Sequence, residues 1–501
     1  MDGGIADWVA RRALRRPEAE ALVDVATGAR HTYAQLDRRI GARAAALAAL
    51  GVGAGDRVAL LGENSAAYLE WLFGAARLGA IAVPINHRLA PGEVGHVLAD
   101  SGATVLVRSA AFARLAEDAL AALAGDAVGA LVELAEEPGD QAVEARPVAG
   151  DDPCVIMYTS GTTGVPKGAV LTHDNMLWNA INMVTAGPGI GGTDVTIAAA
   201  PLFHIGALGL SALPLLYAGG TVVVVPSFDP AAFVDLLARE GVTTQFLVPA
   251  MWAALTRLPA LPPLPALRWA ISGGAPCPVT VIEHFTGLGW TFTEGFGMTE
   301  LSPAALFLDA GDVLTHAGSV GRPFMHVDAR LVSGTGEDVG VGEVGELVLR
   351  GPTVFAGYWN RPDETAAVLR DGWFSSGDLG VRDAEGFVTL VDRKKDMIIT
   401  GGENVYPVEV EQVLHRHPHV ADVAVIGVGD PTWGETVTAV VVASGDLDPD
   451  EVIAFARERI AHFKAPRRVE VVDELPRNAT GKLLKRVLRE RYAGQAEAVA
   501  R

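Results

Sequence analysis

Short apolar runs alternate with longer amphipathic segments through the first third of the chain, and that alternation restricts the fold more than any other feature. Arg57–Leu61, Ile81–Ile85 and Thr104–Val107 read as short buried strands. Ala34–Leu50, with Leu36, Ile40 and Leu47 on one side, and Ala66–Leu78 read as helices. Strand and helix in alternation predict parallel sheets covered by helices, an α/β architecture. The pattern resumes after Pro226 with a helix over Phe233–Glu240 and strands over Thr244–Val248 and Arg268–Ser272. Valine-rich runs with glycine turns over Ala329–Leu349 predict a small β unit. Beyond Asp392-Arg393-Lys394-Lys395-Asp396 a helix over Val408–Leu414, strands over Val420–Val425 and Val437–Val442, a helix over Pro449–Ala461 and a strand over Val469–Val472 predict an α+β tail of domain size.

The 501 residues exceed one ordinary core, and at roughly 150 residues per domain they predict two to four units. Forty Lys and Arg against 60 Asp and Glu give a net charge of −20, which argues against nucleic acid as a partner. The two cysteines, Cys154 and Cys277, form neither a disulfide framework nor a metal-ligand spacing, as expected of a chain in a reducing, cytoplasmic setting. Met1–Asp7 has no basic region followed by an apolar core, so no secretion signal is expected. Val195–Pro226 carries no charged residue and is long enough to span a membrane, but Pro201, His204, Pro214 and several glycines break it. It reads instead as buried α/β elements, Ile197–Ala200, Leu208–Leu216 and Thr221–Val225. His415, His417 and His419 are interrupted by Pro418 and read as helix-end surface histidines.

The chemistry centres on Tyr158-Thr159-Ser160-Gly161-Thr162-Thr163-Gly164-Val165-Pro166-Lys167-Gly168. Three glycines and four hydroxyls in eleven residues free the backbone N–H groups to face a ligand, and the lysine supplies charge, a combination suited to phosphate. Flanked by Val155-Ile156-Met157 and Ala169-Val170-Leu171, it is placed as a loop between two strands. It departs from the Gly-Lys-Ser/Thr phosphate loop, because Lys167 lies between Pro166 and Gly168. Glu294-Gly295-Phe296-Gly297-Met298-Thr299-Glu300, read as a turn after a strand over Trp290–Phe292, adds an aromatic face for a purine, a hydroxyl for a phosphate oxygen and a hard carboxylate for Mg²⁺. Ser375-Ser376-Gly377-Asp378 reads as a turn whose carboxylate suits two ribose hydroxyls, and Lys482 stands in a basic stretch, Asn478–Arg486.

In this order and over essentially the whole chain, these segments resemble the adenylate-forming acyl-CoA synthetases, together with Pro201-Leu202-Phe203-His204, Gly273-Gly274-Ala275-Pro276, Asp392–Glu411 and Pro476–Lys482. Lys395–Pro407 is most similar to bacterial fatty acyl-CoA synthetases. The resemblance implies a large N-terminal AMP-binding domain over residues 1–394 and a mobile C-terminal domain over residues 395–501, hinged near Lys395. It implies two steps: a carboxylate attacks the α-phosphate of ATP to give acyl-adenylate and pyrophosphate, and the thiol of CoA then displaces AMP. Positioning and positive charge must lower the first barrier, because an anion approaches a polyanion.

By the same resemblance, Thr159, Ser160, Gly161, Thr162, Thr163, Gly164 and Lys167 hold the β- and γ-phosphates, Thr299 meets the α-phosphate and Glu300 carries Mg²⁺. Gly273, Gly274, Ala275, Glu294, Gly295, Phe296 and Gly297 line the nucleotide, and Asp378 and Arg393 hold its ribose. Lys482 bridges the carboxylate and the α-phosphate; with Glu300, Thr159 and His204 it makes up the catalytic set. Gly401, Gly402, Glu403 and Trp433 are expected along CoA, with the Phe463-Lys464 region as a further CoA contact. His204, Gly206, Trp252, Gly297, Met298 and Ser302 are expected around the acid.

From Gly168 to Ala238 there is no Lys or Arg, so a second carboxylate on the substrate would lack a partner and be costly to bury. No aspartate follows Phe203-His204 to receive an α-amino group. The expected substrate is an apolar monocarboxylic acid, foremost a medium- or long-chain fatty acid, with an aryl or alicyclic acid next. A carrier protein in place of CoA, and a non-catalytic lipid-binding protein of the same fold, are the competing readings. Membrane contact is expected to be peripheral at most, and a homodimer is left open.

Overall fold

In the computed structural model the described residues are 4–123, 128–159, 166–393, 396–400, 403–430, 433–477 and 483–493, with Arg393 and Ala493 described by backbone alone. The chain forms two compact units, Met1–Ala329 with Leu349–Phe374, and Arg330–Val348 with Ser375–Arg501. The hinge expected at Lys395 lies outside the described residues.

The larger unit contains three sheets. In the first, the parallel strands Ile81–Ile85, Arg57–Leu61, Val105–Arg108 and Ala130–Glu133 continue on the other side into Pro153–Thr159. Lys167–Thr172 and then Gly357–Tyr358 extend it antiparallel. Leu61, Val83, Leu106, Ile156 and Val170 share a core with Val94, Val97 and Leu98 of the helix Pro91–Ser101. At about 1.5–3 kcal/mol per fully buried aliphatic side chain, this packing fixes that helix on the sheet. Pro91 opens the helix, Glu93 accepts from Ala90 N at 2.8 Å, and Gly102 ends it at φ 62°, where a residue with a Cβ would be strained.

In the second sheet Thr244–Leu247, Trp269–Gly273 and Phe292–Gly297 run parallel, and Ala304–Leu308 and Arg322–Pro323 close it antiparallel. Glu294–Gly297 therefore lies within a strand, where a turn was expected. The expectation rested on the glycines, but Gly295 pairs with Gly273, and Gly297 faces Ala304 across a bulge. A Cβ on Gly297 would come within 1.7 Å of Pro303 O, so glycine here admits a close strand crossing. The third sheet has the order Arg30–Thr32, Glu20–Asp24, Thr221–Val224, Val195–Ala198. The charge-free stretch contains two of these strands, separated by a helical turn Ile205–Ala207, a π-helical turn Leu208–Ala212 and a helix Leu213–Ala218. Among the described residues no helix is long and apolar enough to cross a membrane.

The smaller unit holds most of a five-stranded sheet in which Trp373–Arg382 pairs with Val388–Arg393. Ser375–Asp378 thus belongs to a strand as well, kinked at Gly377 with φ 71°, where the sequence predicted a turn. The α+β tail is as expected in kind: Gly434–Ala443 lies between Val420–Asp430 and Arg468–Val472, and also pairs with Ile398–Thr400, which carries Glu403–Val405. Helices Pro407–Leu414 and Pro449–Arg457 pack on this sheet, the second shorter than expected. His417 is buried against Phe455, ring centroids 4.9 Å apart, and so is not a surface residue.

Candidate active site

Thr159 and Lys167 face each other in antiparallel register, so the glycine-rich segment is the connection of a hairpin, between strands as expected. Ser160, Gly161, Thr162, Thr163 and Gly164 lie outside the described residues. The Lys167 ammonium pairs with Glu364 and lies 5.4 Å from the centre of the Tyr358 ring. Tyr358 in turn donates to Glu300 Oε1 at 2.8 Å. Backbone bonds hold this arrangement: Phe355 N donates to Glu300 O at 3.0 Å, Ala356 N to Val170 O at 3.0 Å and Trp359 N to Gly168 O at 2.8 Å. Neither Tyr358 nor Glu364 was singled out from the sequence. Gly357-Tyr358-Trp359 followed by Pro362 marks a turn before a helix, but not the partners that the turn reaches.

Gly295, Phe296, Gly297, Met298, Thr299 and Glu300 are all half-buried along one strand end and the 3-10 turn that follows. Gly274 takes φ +88°, and Gly274 and Ala275 are exposed beyond the strand that ends at Gly273. Glu294 is buried, accepts from Cys277 N at 3.2 Å, and burial pushes its carboxyl up to about 7. Ser302 is fully buried at φ 67°, and its hydroxyl has no partner among the described residues.

Where the acid is expected, Asn64 pins the Pro201–His204 segment. Its amide donates to Ala198 O at 3.2 Å and Ala200 O at 2.8 Å, while its oxygen accepts from Leu202 N at 2.7 Å. The His204 ring packs 4.5 Å from Phe203. Burial first, then the charge of Arg88 and the proximity of His87, lower its pKa to about 4, so it is neutral at physiological pH. Arg88 comes from a distant segment, and a search for cations near His204 in sequence misses it. The Phe246 ring lies within 3.3–3.4 Å of where Cβ atoms on Gly206 and Gly273 would stand. Pro303 Cδ would meet a Cβ on Gly209 at 2.5 Å. Phe246 thus lies between the turn that holds Gly206 and the strand that ends at Gly273, and Pro303 lies against the turn that holds Gly209. Trp252, expected around the acid, is fully buried with Phe285, Trp290 and Phe292, and its indole donates to Ile271 O at 3.1 Å.

In the smaller unit, Asp378 and Arg393 are cross-strand partners. Asp378 is buried, and its N–H donates to Ser376 Oγ at 3.0 Å. Glu403 is exposed on its strand. Trp433 is 40% exposed, with the Arg467 guanidinium 4.0 Å over its ring. Lys464 is paired with Glu409 at 2.7 Å. Gly401, Gly402, Lys395 and Lys482 lie outside the described residues.

The donor set fits a hard divalent cation at Glu300. Tyr358 takes one carboxylate oxygen, and the other has no protein donor among the described residues.

A model of the AMP-binding enzymes matches residues 9–359, and a model of the AMP-binding enzyme C-terminal domain matches residues 409–482. The chain is 45% identical over 494 residues to a feruloyl-CoA synthase from Amycolatopsis sp, covering 98% of this chain and 99% of that one. It is 39% identical over 502 residues to the long-chain-fatty-acid–CoA ligase FadD13 of Mycobacterium tuberculosis, covering 97% and 98%. The structure of ATP-bound MatB from Rhodopseudomonas palustris aligns with a TM-score of 0.90 at 34% identity, over 98% of this chain and 99% of that one.

Proposed function

Because this chain belongs to the AMP-binding enzymes, as an acyl-CoA synthetase that uses ATP, Mg²⁺ and CoA, we propose that it activates an apolar monocarboxylic acid bearing an aromatic ring. The observation that carries this reading is the neutral, ring-lined segment around His204: His204 is uncharged at pH 7, Phe203 packs against its ring, the Phe246 ring faces Gly206, and Arg88 is itself engaged. A substrate with one carboxylate and a flat apolar body leaves no buried charge unpaired there. The 45% identity to a feruloyl-CoA synthase supports the same class. A second reading, a medium- or long-chain fatty acid, is favoured by the 39% identity to FadD13.

In the first step Lys167 and Thr159, at the two stems of the glycine loop, neutralise and orient the outer phosphates of ATP. Thr299 contacts the α-phosphate, and Glu300 would hold Mg²⁺, which would supply positive charge there. Lys482 spans the carboxylate and α-phosphate oxygens, where charge shifts during attack. For the second step, rotation about Lys395 withdraws Lys482 and brings Gly401, Gly402 and Glu403 to CoA. Asp378 and Arg393, opposite one another on adjacent strands, hold the ribose.

Mass spectrometry of the products from ATP, Mg²⁺ and a panel of aromatic, alicyclic and fatty acids, with and without CoA, tests the reading. Acyl-CoA and AMP from ring-bearing acids support it. Turnover confined to straight-chain acids replaces it with the second reading.

A further inference from the structure

We infer that the helix Pro91–Ser101 is a clamp on both stems of the glycine loop, with His96 and Asp100 as positioning residues for ATP in the adenylation step. This rests on the assignment of that loop to the ATP phosphates. His96 and Asp100 are four residues apart and so share a helix face. Asp100 Oδ2 accepts from the Tyr158 hydroxyl at 2.8 Å, beside the point where the chain enters the loop. His96 Nε2 donates to Pro166 O at 3.3 Å, where the chain leaves it. One helix face therefore holds both ends of the segment that Thr159 and Lys167 bound.

The same carboxylate reaches the strap that carries Tyr358. Asp100 Oδ1 accepts from Arg361 at 2.6 Å, and the Asp100 carbonyl accepts from Trp359 Nε1 at 3.1 Å. Tyr358 precedes these two and bonds Glu300, while Glu364 follows them and pairs with Lys167. Asp100 thus ties the loop stem and the partners of Lys167 and Glu300 to a helix that is itself packed in the core. Hydrogen bonds to an ionised carboxylate are of the strong kind. Burial, and then the Asp100 carboxylate, push the Tyr158 phenol up, so it remains a donor. A carboxylate in the last turn of a helix opposes the helix dipole, and fold alone does not call for one there. Its two side-chain partners, Tyr158 and Arg361, account for it.

The test is steady-state pyrophosphate release with ATP and acid varied separately, together with thioester formation from supplied acyl-adenylate and CoA. Asp100→Asn is expected to raise the KM for ATP about tenfold, the scale of one lost charged hydrogen bond. The acid KM and the thioester step should stay within about twofold. Tyr158→Phe, which keeps the ring, should act in the same direction, and Asp100→Asn should add little in a Lys167→Ala background. An unchanged ATP KM in Tyr158→Phe and Asp100→Asn, or an equal loss in both steps with a lowered Tm, overturns the clamp. Lys167→Ala run alongside separates the two ideas. If it leaves ATP KM and adenylation untouched, the phosphate assignment itself fails. If it acts while Asp100→Asn does not, the clamp alone fails.

Discussion

Tyr358 donates to Glu300 Oε1 at 2.8 Å while its ring faces the Lys167 ammonium at 5.4 Å, so one side chain links the loop lysine to the carboxylate assigned to Mg²⁺. Tyr358→Phe keeps the ring and removes only the hydroxyl. It should raise the Mg²⁺ concentration needed for half-maximal pyrophosphate release by roughly tenfold or more, the scale of one hydrogen bond to a charged group. The acid KM should not move. A Mg²⁺ titration of initial rates checks this, and an unshifted midpoint would remove the orienting role of the phenol.

Two buried groups titrate with opposite consequences for stability. The Glu294 carboxyl goes from 4.5 when unfolded to about 7 when folded, so between those values the folded chain keeps a proton the unfolded chain has lost. Stability therefore falls as pH rises through that window and stays lower above it, by on the order of 3 kcal/mol. Glu294→Gln retains an acceptor for Cys277 N, so its Tm should gain on wild type from pH 5 to pH 8. His204 is lowered from 6.5 to about 4, so stability is lost as pH falls through that range, and His204→Phe should withstand acid better than wild type. Thermal melts at pH 4.5, 5, 7 and 8 measure both; gaps that do not change with pH count against the burial of these charges.

Gly206 faces the Phe246 ring, which a Cβ would meet at 3.3 Å. Gly206→Val should raise the KM for bulky acids several-fold more than for small ones while sparing the KM for ATP. Competition between a large and a small acid reads the ratio directly, and equal effects on both acids would place Gly206 away from the acyl group.

Lys482→Ala should abolish adenylation, yet spare thioester formation from supplied acyl-adenylate. Lys395→Pro should do the reverse, leaving pyrophosphate release largely intact and slowing acyl-CoA formation, because proline fixes φ at the proposed hinge. Rapid-quench measurement of each half-reaction tells the two apart, and parallel losses in both steps would contradict the alternation.

The sequence made the strands and the loop readable because their signals are local. Arg57–Leu61 and Ile81–Ile85 form strands with those very ends, and the glycine loop joins two strands. Glycines misled where their cause is a neighbour on the paired strand: Gly297 reads as a turn but is required by Pro303 O, which only pairing reveals. Trp252 was expected around the acid from the family resemblance, while packing with Phe285, Trp290 and Phe292 decides its surroundings. Asp100, Tyr358 and Arg88 escaped for the same reason. Each acts on residues more than 50 positions away, at Tyr158, Glu300 and His204, and no periodicity records such a pairing.

Phe246 stands against both Gly206 and Gly273, so the proposed acid and nucleotide compartments share one partition. Trimming that ring to admit larger acids also removes the backing of the nucleotide strand. A lineage exploring new acids is therefore steered toward positions such as His204 and Gly206, where selectivity can drift while the grip on ATP is inherited intact.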